Sequence, residues 1–306
     1  MPLFRSPHLQ TIGGHFWPRP STKSCEQRLY RTEPDVQVQV ETERPAGTPR
    51  GNLVLVHGLE GSSRSGYMRS LSHAAAMAGY TAHRFNLRSC GGSERLTKTG
   101  YHGGQTGDLL FVVRALAAES GAPVWMIGFS LGGNIVTKLA GELGEDARGL
   151  IAGMCGVSAA IDLHACARRI GQPDNRLYQA RFVQMMRARA RTVWHATPAD
   201  LRGIRTLFEL DDRITAPAFG FGNAVNYYET QSAKPWLDRI RVPALFLTSQ
   251  DDIFIPFSIY SHPAFRSNPF LRLMATQYGG HVGFLAATRP YLWLDHAIME
   301  WITHAN

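Results

Sequence analysis

Short apolar runs alternate with longer amphipathic stretches along most of this chain. Residues 1–24 carry Pro and the aromatics Phe4, Phe16 and Trp17 without periodicity, and read as a segment laid on a core. Stretches 26–31 and 36–41 then alternate polar and apolar positions around a Glu-Pro-Asp turn, which predicts a hairpin. After a Pro/Gly linker at 44–50, residues 52–56 form a nearly continuous apolar run, as expected of a strand covered on both faces. A helical stretch at 66–78 follows. The alternation repeats as strand 80–87, helix 105–118, strand 124–129, helix 131–143 and strand 149–157. From 158 to 241 it lapses into helix-like, Arg-rich and Pro/Gly segments. It resumes with strands at 243–248 and 270–276 and closes with an amphipathic helix at 290–304.

Strands that alternate with helices of this length specify βαβ units and a parallel sheet. The expected architecture is therefore α/β, a mostly parallel sheet of eight strands with helices on both faces. A first core part spans 1–157, a helical cap insertion 158–241, and a second core part 242–306.

Composition narrows the function classes. The 306 residues are 44% hydrophobic and 18% charged, which is enough to bury a large core and excludes intrinsic disorder as the main state. No apolar run approaches the ~18 residues of a membrane span. The opening MPLFRSPHLQ lacks the apolar core of a secretory signal, so a cytoplasmic protein is expected. Cys25, Cys90, Cys155 and Cys166 are scattered without a C-x-x-C pair and read as free thiols. The 32 basic and 24 acidic residues leave a net charge of +8, yet no aromatic-basic interleaving, zinc finger or helix-turn-helix accompanies it. Nucleic acid is thus not the expected partner. No nucleotide-binding glycine pattern and no H-E-x-x-H is present, so neither a cofactor nor a metal is implied.

The chemistry gathers at three places. Gly128-Phe129-Ser130-Leu131-Gly132 matches G-x-S-x-G and lies where an apolar strand gives way to a helix, the setting of a nucleophile elbow. A hydroxyl needs a base, and the base an orienting acid. After strand 243–248 come Asp251 and Asp252. Asp252 stands four residues before Pro256 and is the favoured acid, with Asp251 as a turn-stabilising neighbour. His281 follows the last strand behind Gly279 and Gly280 and is the favoured base over His262, His296 and His304. Two backbone N–H groups should hold an oxyanion: Leu131, next to the serine, and Leu59, in the loop that ends the first buried strand.

The segments Ser6-Pro7-His8-Leu9-Gln10-Thr11, His57-Gly58-Leu59-Glu60-Gly61-Ser62, Asn86-Leu87-Arg88-Ser89-Cys90-Gly91-Gly92 and Gly128-Phe129-Ser130-Leu131-Gly132-Gly133-Asn134 carry a resemblance over nearly the whole chain. So do Asp211-Asp212-Arg213-Ile214-Thr215-Ala216-Pro217, Tyr227-Tyr228 and Gly279-Gly280-His281-Val282-Gly283-Phe284. The chain resembles the YheT-like branch of the α/β-hydrolases, which also takes in abhydrolase-domain lipases and fungal ethyl-ester acyltransferase/esterases. The resemblance implies an esterase with Ser130, Asp252 and His281 as its triad. One departure is Ile253, where relatives often carry Pro.

The expected function is therefore hydrolysis of short- to medium-chain acyl esters or acylglycerols, small-molecule substrates, through an acyl-enzyme on Ser130. Two alternatives stand beside it, acyl transfer to an alcohol through the same intermediate, and a non-catalytic ligand-binding α/β-hydrolase. Between Asp162 and Arg205 stand nine Arg and three Asp, six of the chain's eight net positive charges. Within that stretch, residues 175–195 read as a helix with Tyr178, Phe182, Met185, Met186 and Val193 on one side, facing an acyl pocket over Ser130. Its arginines would give weak, salt-sensitive association with anionic lipid surfaces. The residues leave acyl length, alcohol and oligomeric state open.

Overall fold

The computed structural model describes residues 1–19 and 25–304. Its centre is one sheet of eight strands: β1 (Glu26–Glu33), β2 (Val36–Glu43), β3 (Asn52–Val56), β4 (Thr81–Phe85), β5 (Val124–Phe129), β6 (Ile151–Val157), β7 (Ala244–Ser249) and β8 (Leu271–Thr276). They lie in the order β1-β2-β4-β3-β5-β6-β7-β8. From β4 to β8 every pairing is parallel, and the β1–β2 hairpin adds antiparallel strands along β4. This is the α/β-hydrolase fold.

The apolar runs are strands because both of their faces are covered. Val54 and Val56 pack into one core, while Leu53 and Leu55 on the same strand pack into the other. Helices α2 (Gly66–Met77) and the C-terminal Trp293–His304 cover the second face, with Ile298 and Ile302 fully buried. Helices α3 (Gly107–Ser120) and α4 (Leu131–Leu143) cover the first. Burying a side chain such as Leu or Val contributes about 1.5–3 kcal/mol, so these two layers dominate the stability of the sheet.

The chain enters the parallel part of the sheet at β3, crosses to β4 on one side and returns to β5 on the other. The loops after β3 and β5 therefore leave the same sheet edge at the point where the strand order reverses, the usual crevice of such sheets.

In the N-terminal segment, Pro7–Phe16 forms a helix, α1, that the aperiodic sequence did not predict. Its signals are local: Ser6 at the N-cap accepts from the Leu9 N–H, and Pro7 occupies the first turn, where its missing N–H costs nothing. Gln10 on this helix is fully buried and bonds to Phe4 O and to both backbone groups of Leu285.

Between β6 and β7 the chain runs through helices α5 (Leu163–Ile170) and α6 (Arg176–Val193). Shorter turns follow, including a π-type turn at Asp211–Thr215, and then the helix Ala224–Gln231.

Candidate active site

Ser130 lies between β5 and α4 at φ 54°, ψ −114°, a conformation that L-residues rarely adopt. Surrounding bonds hold it there. The Ser130 N–H donates to Val157 O at 2.8 Å, and Ser130 O accepts from Asn134 and Ala160 N–H groups at 3.2 and 3.1 Å. The flanking glycines have a steric reason. A Cβ on Gly128 would overlap Gly132 O, and one on Gly132 would overlap the Val56 and His57 carbonyls. A Cβ on Gly133 would stand 2.6 Å from that of Ala159. The positive end of the α4 dipole points at the serine.

His281 follows β8. Gly280 turns the chain at φ 57°, and a side chain there would overlap Pro7 O on α1. Ser249 Oγ donates to Gly280 O at 2.8 Å, and the His281 N–H donates to Thr11 Oγ1 at 2.9 Å. The His281 Nδ1 faces both oxygens of Asp252, at 3.0 and 3.1 Å. Asp252 is buried, and its Oδ1 also accepts from the Phe254 and Ile255 N–H groups at 2.8 and 3.0 Å. Asp251 instead accepts from the Gly280 N–H at 2.9 Å, so it holds the turn that carries the histidine.

The three competing histidines have local partners. His262 Nδ1 accepts from the Ala264 N–H, His304 bonds to Glu300 O, and His296 lies exposed near Glu300. His57 is fully buried, with Nδ1 on Gly58 O at 2.8 Å and Nε2 accepting from the Leu87 N–H at 3.1 Å. Burial lowers its pKa to about 4, so it is a neutral pin for its loop.

That loop, 57–61, passes over the serine, and a Cβ on Gly58 would stand 3.0 Å from that of Ser130. Most of its N–H groups are already spent. Gly58 donates to the Tyr67 hydroxyl at 3.1 Å, Glu60 to the Tyr101 hydroxyl at 2.9 Å and Gly61 to Gly58 O at 3.0 Å. Among the described residues, the Leu59 and Leu131 N–H groups have no acceptor.

A cavity of about 90 Å³ opens beside these groups, bordered by Ser130, Leu59 and Leu131 from the sheet loops. Leu163 and Ile170 of α5 and Phe182 and Met186 of α6 form much of its apolar wall. The expected apolar side of the 175–195 helix thus reaches the cavity through Phe182 and Met186. Tyr178 instead packs on His8 and Phe254. Asp211 and Tyr228 form a polar spot on the same wall. The Tyr228 hydroxyl donates to Asp211 at 2.7 Å, and burial raises the Asp211 pKa to about 6.

Among the arginines of α6, Arg189 turns inward onto Glu60. Arg176, Arg181 and Arg191 are exposed. None of the four cysteines is in a disulfide among the described residues, and Cys25 Sγ accepts from Arg84. Cys90, Cys155 and Cys166 are buried, and burial pushes the Cys90 thiol up to about 12, which leaves it protonated.

Sequence reasoning missed three supports of the site. Thr11 steadies His281. Asn134 bonds to Gly103 O, Gln231 O and the Ala233 N–H, joining α4 to the loop before α3 and to the segment above. Glu60 meets Arg189 and Tyr101. All three lie in motifs that drew notice, but a motif does not say what its side chains touch.

Comparison with known proteins shows the family. The α/β-hydrolase-fold family matches residues 51–288. YheT of Escherichia coli (strain K12) is 33% identical over 98% of this chain and 91% of its own length. The monoacylglycerol lipase of Saccharomyces cerevisiae is 32% identical over 82% of this chain, which spans 58% of that longer protein. Among solved structures, an esterase of Pyrococcus furiosus superposes with a TM-score of 0.63 at 16% identity, covering 94% of this chain and 98% of its own. Among the described residues no helix is long and apolar enough to cross a membrane.

Proposed function

This chain belongs to the α/β-hydrolase family, in its YheT-like branch, and is a carboxylic-ester hydrolase of the esterase and lipase type; we propose that it works through an acyl-enzyme on Ser130. The observation that carries the reading is the pairing of His281 Nδ1 with the buried Asp252 carboxylate, with Ser130 held in its strained turn. Asp252 keeps the Nδ1–H in place, which leaves Nε2 to take the Ser130 proton as Oγ attacks the ester carbonyl. The Leu59 and Leu131 N–H groups receive the oxyanion. Collapse returns the proton from His281 to the departing alcohol. Water, deprotonated by the same imidazole, then releases the acid and frees Ser130.

The segment 158–241 acts as a cap whose apolar side chains receive the acyl group. Short- to medium-chain acyl esters or acylglycerols fit this apolar wall, and the lipase name of the yeast relative points the same way.

Active-site labelling with a fluorophosphonate, read by mass spectrometry of the tryptic peptide, tests the reading. Modification at Ser130 that abolishes hydrolysis of p-nitrophenyl butyrate is the expected result. Hydrolysis that survives full labelling, or labelling at another residue, overturns it.

A further inference from the structure

We propose that Arg189, on the cap helix α6, is a positioning residue for the oxyanion loop, so that the loop has its working shape only while α6 is docked on it. This rests on the assignment of the Leu59 N–H as an oxyanion donor.

Arg189 Nε and one terminal nitrogen grip the two oxygens of Glu60 at 2.9 and 3.0 Å, a paired contact that fixes the plane of the carboxylate. The other terminal nitrogen bonds to Ser89 O, and to Ser89 Oγ at 2.9 Å. The guanidinium also lies over the Tyr101 ring, 5.0 Å from its centre. Tyr101 closes the figure, since its hydroxyl accepts from the Glu60 N–H and lies 3.2 Å from Glu60 Oε1. Glu60 is thus held at its backbone N–H and at both carboxylate oxygens.

It needs such hold, because Glu60 sits at φ 55°, the left-handed region that a non-glycine residue enters at a cost. The peptide that follows Leu59 is therefore oriented by contacts reaching 129 residues along the chain. Both side chains are largely buried, at 12% and 5% exposed. Removing one partner leaves an unpaired charge at the cavity edge and relaxes the loop. Oxyanion stabilisation depends on donors fixed before charge develops, and losing one donor costs roughly 10²–10³ in kcat.

The test uses the full chain with Arg189→Gln, Arg189→Lys, Glu60→Gln and Tyr101→Phe. Each is titrated with fluorophosphonate, so that kcat is counted per competent site, and each is checked by thermal unfolding. Expected are a fall in kcat of about 10–100-fold for Arg189→Gln with KM within about threefold, a smaller fall for Arg189→Lys, and a matching loss of affinity for a trifluoromethyl ketone, which forms a tetrahedral oxyanion on serine. A merely structural contact would lower the melting temperature and leave kcat per titrated site unchanged. That result in Arg189→Gln, or in the isosteric Glu60→Gln should the arginine variant not fold, overturns the proposal. The parent separates the two readings. If it neither labels at Ser130 nor turns over esters, the proposed function falls and the clamp with it. If the parent is active and the variants match it, the clamp alone falls.

Discussion

The strand–turn–helix around Ser130 and the segment 158–241 above it are both densely packed, but by different means. Around the serine, backbone approaches backbone, because Gly128 and Gly132 lie where any side chain would overlap a carbonyl. Above it, the segment is attached by side chains that reach across: Asn134 to the Ala233 N–H, Tyr227 to the Gly103 N–H at 2.7 Å, and Arg189 to Glu60. Backbone contact tolerates few residue types and writes itself into a short motif. Side-chain contact can be made by many residues at many separations and leaves no such mark.

Substitutions should separate the two regions by size of effect. Ser130→Ala should lower ester turnover by roughly 10³–10⁶-fold with the fold intact. Retention of activity within tenfold of the parent, measured on p-nitrophenyl butyrate, would remove the serine from the mechanism.

The adjacent acids come next. Asp252→Asn should cost about 10²–10⁴-fold in kcat, since the imidazolium formed in the transition state loses its counter-charge. Asp251→Asn keeps the oxygen that accepts from Gly280 and should cost less than about tenfold. The reverse ranking in steady-state kinetics would exchange their roles.

Within the segment 158–241, Asp211 gives a pH signature. Its folded pKa of about 6 lies above the ~3.9 of an unfolded chain, so the folded state holds the extra proton between those values. The parent's stability from this group is therefore present at low pH and lost as pH rises through 6. Asp211→Asn removes that loss, while an amide oxygen can still accept from Tyr228. The melting temperature of the variant relative to the parent should rise from pH 4.5 to pH 7.5, by the equivalent of about 2–3 kcal/mol at most. A gap that does not change with pH would show that Asp211 does not titrate in this range.

Acyl selectivity should respond more modestly. The parent should favour medium chains over acetate in kcat/KM, and Met186→Ala with Phe182→Ala should shift that preference by about tenfold. An optimum at acetate in the parent would mean that the wall of α5 and α6 receives no acyl chain.

The smallest effect concerns the exposed arginines Arg176, Arg181 and Arg191. Sedimentation with anionic vesicles should be weak and should vanish at high salt. Equal binding at both ionic strengths would rule out an electrostatic cause.

The fold was legible because its signal is local. Runs such as 52–56 and 124–129 are too apolar for anything but a doubly covered strand, and the elbow is written in a short run of residue types, although only Gly128 is required by a contact within a few residues, Gly132 being required by the carbonyls of Val56 and His57 on the neighbouring strand. The pairing of Asp252 with His281 was legible in part, through spacing that left room for one helix and one strand between them. The helix α1 was missed although Ser6 and Pro7 mark its start, because the stretch after them lacks an apolar period.

By itself, the sequence determined the parallel sheet and the serine turn and singled out Asp252 and His281 as candidates, since each of these signals depends on residue types within one strand, turn or helix. Only the tertiary structure decided that Thr11 steadies the His281 loop 270 residues away, that Gly58 and Glu60 have spent their N–H groups while Leu59 has not, and that Arg189 turns from a cationic helix face onto Glu60. The physical reason is distance along the chain. A hydrogen bond between side chains on remote elements exists only after the sheet has brought them together, and neither partner differs in type from the many polar residues that face water.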